Sequence, residues 1–575
     1  MIAKITFVKR YIEQFFLGGA IFVFMISMLF SQTPKLPIFV FQFVILIFLS
    51  IWVGLMIDAL LSFLKAVYVF ERKMSSLPLI SLLTICSVLI LTIFLAANPS
   101  LMSGETLREI GCILDLMKNS TDIGLNGLCH IAYPSIQFIV PALPSLFART
   151  HFNLQIGILL YLVPAILYFS AALLKTSAKL RKLSDIVAGV SLLLIFNSYH
   201  FFQLLLTFEQ SLYPTMFAMM IIGKFFVILS DTEKVDRTND LAILLFLIWM
   251  SGNIYTPGLA LVPLGLLMIL YLLVKEKKLI TFPKIILICF TFLSFLIRLV
   301  SRGDLALATD PNTSASIGEK LMTFLQLLFA IDGVGSFVSP LLTVPFLLMI
   351  IYLIWKGNWF YRIIALWSIA VMLMSIYAKG YAAPGVEFAL HRATLIFPVI
   401  LITFIFSFFY EKNYLAFLVN FRSRLHWVLI FVLALQTAFY LSYGWSKHIG
   451  FNDQNALLEN IYLESSPNSL THYYILNSTL FEKGLTSIGD PLMYFNNGNI
   501  PLVYLESDFC QNILASVDKK DKMFVFLSTN SSKDSCLDGK ITFQQTKPIR
   551  YRWANEDMNI YLHYFSQSLP TSQRN

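Results

Sequence analysis

Two carboxylates and a thiol stand at helical spacing in the run Ser103-Gly104-Glu105-Thr106-Leu107-Arg108-Glu109-Ile110-Gly111-Cys112-Ile113-Leu114-Asp115. Wound as an α-helix, the run sets Glu105, Glu109 and Cys112 on adjacent turns of one face and Leu107, Ile110 and Leu114 on another. A carboxylate in such a place can act as a general base when its pKa and position suit the acceptor, so Glu105 is the first candidate and Glu109 the second. The plainer alternative, and the commoner one, is a solvated charged face on a helix begun by Ser103. Another acid, Glu209, lies in Thr207-Phe208-Glu209-Gln210. The cations Arg302, Lys320, Lys379, His391 and Arg392 are of the type that holds an anion through charge-assisted contacts. Equally, Lys379 can snorkel at a helix end, and His391 or Arg392 can anchor the span that follows.

These residues are spread over a chain that water would not dissolve. Of its 575 residues 57% are hydrophobic and only 13% charged, and the mean hydropathy is +0.73. That composition belongs to an α-helical polytopic membrane protein. Apolar windows long enough to cross a hydrocarbon core of roughly 30 Å recur. They fall near 15–31, 38–63, 78–97, 153–174, 186–207, 212–229, 240–252, 257–274, 284–300, 338–355, 362–379, 393–410 and 426–443, which is about thirteen spans. The window 240–252 is short and runs into Gly252-Asn253-Ile254-Tyr255-Thr256-Pro257, a pattern compatible with half of a broken helix.

The net charge of +9 does not point to nucleic acid, because Lys and Arg gather at the ends of apolar runs. Lys65, Arg72 and Lys73, then Lys175, Lys179, Arg181 and Lys182, then Lys234 and Arg237, mark every second connector. The alternation continues with Lys275, Lys277 and Lys278, Lys356 and Arg362, and Lys412, Arg422 and Arg424. By the positive-inside rule these connectors and the N-terminus are cytoplasmic. Lys4, Lys9 and Arg10 precede the first apolar run as in a signal peptide, but no small-residue cleavage site follows, so that run reads as a retained helix. Ionisable residues within the spans are few. Asp58 is costly there and calls for a partner, whereas Lys224 and Arg298 read as snorkelling near helix ends.

The outward segments are then the loop 98–152, a second loop near 301–337, shorter turns and the tail 444–575. The early loop is the largest between spans, and its second half, from Tyr133 to Arg149, is apolar but broken by Pro134, Pro141 and Pro144. An interfacial or re-entrant segment fits that pattern. Cys112 and Cys129 share this loop, and Cys510 and Cys536 share the tail, so either pair can be a disulfide in oxidising space or two free thiols. Sequons at Asn119, Asn312, Asn477 and Asn530 fall on the same side. The tail has β-rich pieces at 501–505, 523–527 and 560–564, which suits a small α/β extracytoplasmic domain. The expected division is a membrane domain over 1–443 and that domain over 444–575.

The sequence of features in 78–410 resembles membrane glycosyltransferases of the GT-C class. That class includes protein O-mannosyltransferases, the aminoarabinose transferase of lipid A and oligosaccharyltransferases. The likeness rests on a span followed by an outward acid and an amphipathic helix, then a Tyr-Pro-rich apolar piece and the Phe147-Ala148-Arg149 entry into the next span. Thr207-Phe208-Glu209-Gln210 resembles the class's second outer acidic site, Met250 to Gly258 the helix start after it, and Glu387 to Thr394 its late arginine entry into a span. Two features depart from the pattern. Glu105 stands without the adjacent Asp of an Asp-Glu pair, and two apolar helices precede the span that would be the class's first.

The resemblance implies a sugar donor on a polyprenyl phosphate and a lipid, glycan or protein acceptor at the outer face of the bacterial inner membrane. It also implies a loop carboxylate as base, with Arg302, Lys320, Lys379, His391 and Arg392 as partners of the leaving phosphate. A divalent cation on Glu105, Glu209 and neighbours would also suit the class, although no His/Cys spacing marks a metal site. Two other classes compete. An O-antigen polymerase or ligase is expected to place its large Arg/His-rich loop late in the span series. A transporter or flippase of lipid-linked glycans is expected to line a midplane path with charge or to show inverted repeats.

Overall fold

The structure is a computed structural model that describes residues 38–73, 139–147, 151–180, 212–230, 238–254, 261–275, 350–377, 471–475, 523–528, 543–553 and 556–566, with single helical positions within 110–114 and 288–296 and at 318 and 347. The expected spans at 15–31, 78–97, 186–207, 393–410 and 426–443 lie outside these residues.

Helix α1 runs Ile38–Lys73, 36 residues, past its apolar window and into the basic connector. Its stretch Leu46–Val69 is long and apolar enough to cross a membrane. Phe48, Ile51, Trp52, Leu55, Ala59 and Ala66 are buried at intervals that follow the helical repeat. Val53, Ile57, Leu60, Leu64 and Tyr68 are exposed on the rest of the surface. A helix apolar on both its packed and its open face is suited to lipid, where the open face carries no hydrophobic penalty.

Of the proline-broken segment, residues 139–147 are described. A four-residue helix, α2 (Ile139–Ala142), is followed by a 3-10 turn at Pro144–Leu146 and then by α3 (His151–Leu180). Tight bonds from Leu143 N to Val140 O, Leu146 N to Leu143 O and Phe147 N to Pro144 O close the turn. All four residues of α2 are buried. The segment lies so close to α3 that a Cβ at Gly157 would stand 2.0 Å from the Pro141 carbonyl oxygen. Only glycine admits that approach.

Further along come α4 (Leu212–Ser230), α5 (Thr238–Ile254), α6 (Leu261–Lys275), a helical stretch over 350–356 and α7 (Trp359–Tyr377). Helix α3 packs between α1 and α4, α4 between α3 and α5, and α6 against α5, α4 and α7. Residues 216–229 of α4 and 241–251 of α5 are buried throughout, which makes these two helices the centre of the described bundle. At Gly265 a Cβ would meet the Ile248 side chain at 2.3 Å, so α5 and α6 also rely on a small residue for close contact.

In the tail, β1 (Thr471–Ile475), β2 (Met523–Ser528), β3 (Phe543–Trp553) and β4 (Glu556–Ser566) form one sheet in the order β1-β2-β4-β3. The β1–β2 pair is parallel and the other two pairs are antiparallel. Pro548 sits in β3, at the sheet edge, where a missing N–H is tolerated. A register shift between Phe543 and Gln545 gives β3 one extra residue. Two of the expected β-rich pieces lie in β2 and β4, and 501–505 lies outside the described residues.

Candidate functional site

The described helices meet at a buried ionic cluster that the sequence reading did not assemble. Lys224 of α4 is fully buried, and its Nζ lies 2.5 Å from Asp58 Oδ2 on α1 and 2.7 Å from Asp240 Oδ1 on α5. The Tyr168 hydroxyl of α3 donates to the same Asp58 oxygen at 2.6 Å. The ammonium also stands 5.5 Å from the centre of the Tyr168 ring. Four helices thus contribute one side chain each. Asp58 has the partner it needs, but Lys224 does not snorkel: it is the cation that joins two carboxylates. This corrects the expectation drawn from its nearness to the helix end.

Gly223 explains how α3 comes close enough for Tyr168 to join the cluster. A Cβ there would be 2.7 Å from the Tyr168 carbonyl carbon and 2.9 Å from the Phe169 nitrogen, so the two backbones touch beside the cluster. Near the end of α4, Lys175 Nζ and Ser230 Oγ both donate to the Val227 carbonyl, one of the last-turn acceptors that the helix itself leaves open.

A second layer fixes the helix directions. Trp52 of α1 stacks on Tyr161 of α3 with centroids 4.7 Å apart, and Phe217 of α4 meets both rings edge-on. Between the two layers the chain advances from 52 to 58, from 161 to 168 and from 217 to 224. Six or seven residues are about two turns, roughly 10 Å, in the same sense on all three helices. So α1, α3 and α4 run parallel, while α5 begins at the cluster through Asp240. An alternating series of spans requires this of its second, fourth, sixth and seventh members.

The same level extends to α6 and α7. Phe225, next to Lys224, lies 5.8 Å from Phe360, and Tyr271 stacks on Phe360 at 4.2 Å. The C-terminal ends of α1, α3, α4 and α6 and the N-terminal ends of α5 and α7 therefore share one end of the bundle. Lys65, Lys175, Lys275, Lys356 and Arg362, all from the basic connectors, lie toward that end.

The chemistry-bearing loop is only partly described. Ile110, Ile113 and Leu114 are helical and fully buried, and Ile139 to Ala142 dock on α3. The catalytic candidates Glu105 and Glu109, the acid Glu209, the cations Arg302, Lys320, Lys379, His391 and Arg392, and the cysteines Cys112, Cys129, Cys510 and Cys536 lie outside the described residues. Among the described residues no three His, Cys, Asp or Glu side chains form a group that could hold a metal ion. Cys289 is a free, exposed thiol.

No protein-family model matches the chain, and neither does any curated protein. A search of solved structures finds a likeness to the crystal structure of ArnT from Cupriavidus metallidurans in the apo state. That match has 12% sequence identity and a TM-score of 0.45, and covers 84% of this chain and 97% of that one.

Proposed function

We propose that this chain is a multi-pass membrane glycosyltransferase that moves a sugar from a polyprenyl phosphate to a lipid, glycan or protein acceptor at the outer face of the membrane. The observation that carries the reading is the docked loop: Ile110, Ile113 and Leu114 are buried, and the segment from Ile139 is pinned to α3 through Gly157. A general base needs a loop that is anchored, and these buried apolar residues are the anchoring that the described part of the loop offers. The quoted motifs of the loop supply the chemistry, and the division into a membrane domain over 1–443 and an outer domain over 444–575 belongs to the same reading.

In this mechanism Glu105 accepts the proton of the acceptor hydroxyl, with Glu109 as the alternative base. The acceptor oxygen bonds to the anomeric carbon as the bond from that carbon to the phosphate oxygen breaks. The electron pair leaves with the polyprenyl phosphate, and the configuration inverts. Arg302, Lys320, Lys379, His391 and Arg392 are the cations available to the leaving phosphate. A divalent cation held by Glu105 and Glu209 would reinforce them.

The test is turnover of a labelled polyprenyl-phosphate sugar by the purified full chain and its Glu105→Gln variant, with product and released lipid phosphate both measured. A fall of about 100-fold or more is expected, with unchanged yield of folded protein. Full activity in the variant removes Glu105 from the mechanism. A transporter or flippase reading draws on a different observation, the ionisable cluster Asp58–Lys224–Asp240 between helices. Counter-flow of a lipid-linked glycan in vesicles without covalent transfer would select it.

A further inference from the structure

We infer that the turn joining 350–356 to α7 is a binding site for the headgroup of an anionic phospholipid. Trp355 organises it. The Lys356 ammonium stands 4.5 Å from the centre of the Trp355 ring, and the Arg362 guanidinium donates to the Trp355 carbonyl at 3.3 Å. Both cations are exposed, and both are gathered at Trp355, Lys356 at its ring and Arg362 at its backbone carbonyl. Asn358 fixes the turn, since its side-chain oxygen accepts from the Tyr361 N–H at 3.1 Å and its carbonyl from the Arg362 N–H at 3.0 Å. Gly357 N donates to Leu353 O at 2.9 Å and closes the preceding helix.

The apolar half of the site is equally open. Trp355 is 71% exposed and Trp359 41%, and Ile351, Ile363 and Leu366 continue an exposed apolar face along the two helices. Exposed indoles beside cations, next to exposed aliphatic side chains, match the border between headgroups and acyl chains. Water would leave the aliphatic face unsatisfied, and a neutral lipid would itself offer the two cations no counter-charge. Neither 350–377 nor α6 contains a carboxylate, so these elements ask for an anion from outside themselves. A phosphodiester with acyl tails meets both demands at once, and its charge complementarity distinguishes it from a second protein surface.

Brominated lipids report the site directly, because bromine on an acyl chain quenches a neighbouring indole. The full chain is reconstituted in vesicles of phosphatidylcholine containing a small fraction of brominated phosphatidylglycerol or, separately, of brominated phosphatidylcholine. At about 1 kcal/mol for each cation near a membrane surface, two cations favour the anionic lipid by roughly 30-fold. The wild type should therefore be quenched at a much lower fraction of brominated phosphatidylglycerol, and added salt should narrow the difference. Lys356→Gln/Arg362→Gln should bring the preference close to one, with quenching by brominated phosphatidylcholine retained as proof that the protein is folded and inserted. Trp355→Phe/Trp359→Phe should remove the selective component of the signal and leave quenching of the other tryptophans. Equal quenching of the wild type by both lipids overturns the inference, as does a preference that survives loss of both cations.

Discussion

Replacing Lys224 by methionine keeps most of the side chain's volume and removes only the charge. The structure then leaves Asp58 and Asp240 facing a site that held the cation they share, with Tyr168 still donating to Asp58. Removing one partner of a buried ion pair costs about 3–5 kcal/mol. Asp58 and Asp240 keep 20% and 33% of their side-chain surface, so water takes up part of the charge and the lower end applies. A loss of about 3 kcal/mol lowers the folding equilibrium constant by roughly 150-fold. Stability is read by titrating detergent-solubilised protein with a denaturing detergent, following helix content and monodispersity. The triple variant Lys224→Met/Asp58→Asn/Asp240→Asn removes the three charges together and should recover most of the loss. Asp58→Asn alone leaves Lys224 paired with Asp240 and should cost less than Lys224→Met. If Lys224→Met is as stable as the wild type, or the triple variant is no better than the single one, Asp58 and Asp240 do not depend on Lys224 as their shared cation.

The close glycines separate two kinds of contact. Gly223→Ala would press a methyl into the Tyr168 backbone and should cost about 1–3 kcal/mol in the same titration, with no rescue from trimming side chains. Gly265→Ala meets only the Ile248 side chain, so a companion Ile248→Ala should restore part of its loss. Tyr168→Phe deletes the donor to Asp58 and should cost about 1.5–3 kcal/mol, as for a hydrogen bond to a charged group, while a cost near zero would argue that the hydroxyl does not reach it.

Among the described residues much of the helical layout was legible because an apolar window is a strong and local signal. The windows at 153–174, 212–229 and 362–379 lie within or nearly within α3, α4 and α7, and residues 139–147 of the proline-broken segment form a short helix and a 3-10 turn. The helix ends were less legible. The expected 38–63 continues to Lys73, since a helix does not stop where its hydropathy does. In the tail, 523–527 and 560–564 carried enough β-formers to stand out, but β3 did not, because Gln544, Gln545, Lys547 and Pro548 dilute the pattern in a strand that lies at the sheet edge. Of the candidate site, what the sequence offered was residue types at helical spacing in one loop. Whether distant cations join Glu105 is a question of tertiary contact, which spacing along the chain does not encode.

Lys224 shows a signal that was present and pointed the other way. It stands six residues before the end of α4, about 9 Å along the axis, and that distance by itself suggests a chain long enough to reach water. Direction decides against it. The Cα–Cβ bonds of a helix tilt toward its N-terminus, so a lysine near the C-terminal end leans back into the bundle instead of toward the nearby solvent. Snorkelling is favoured for a lysine near the start of a span and opposed for one near its finish. Asp58 belongs to a helix running the same way and also precedes its basic connector by a few residues, so it occupies the same depth with the opposite charge. Two opposite charges at equal depth, each approaching the finish of a span that runs in the same direction, are candidates for pairing before any contact is known. The aromatic positions 52, 161 and 217, each two turns before its polar partner, carry the same register and place the pair between the same three helices.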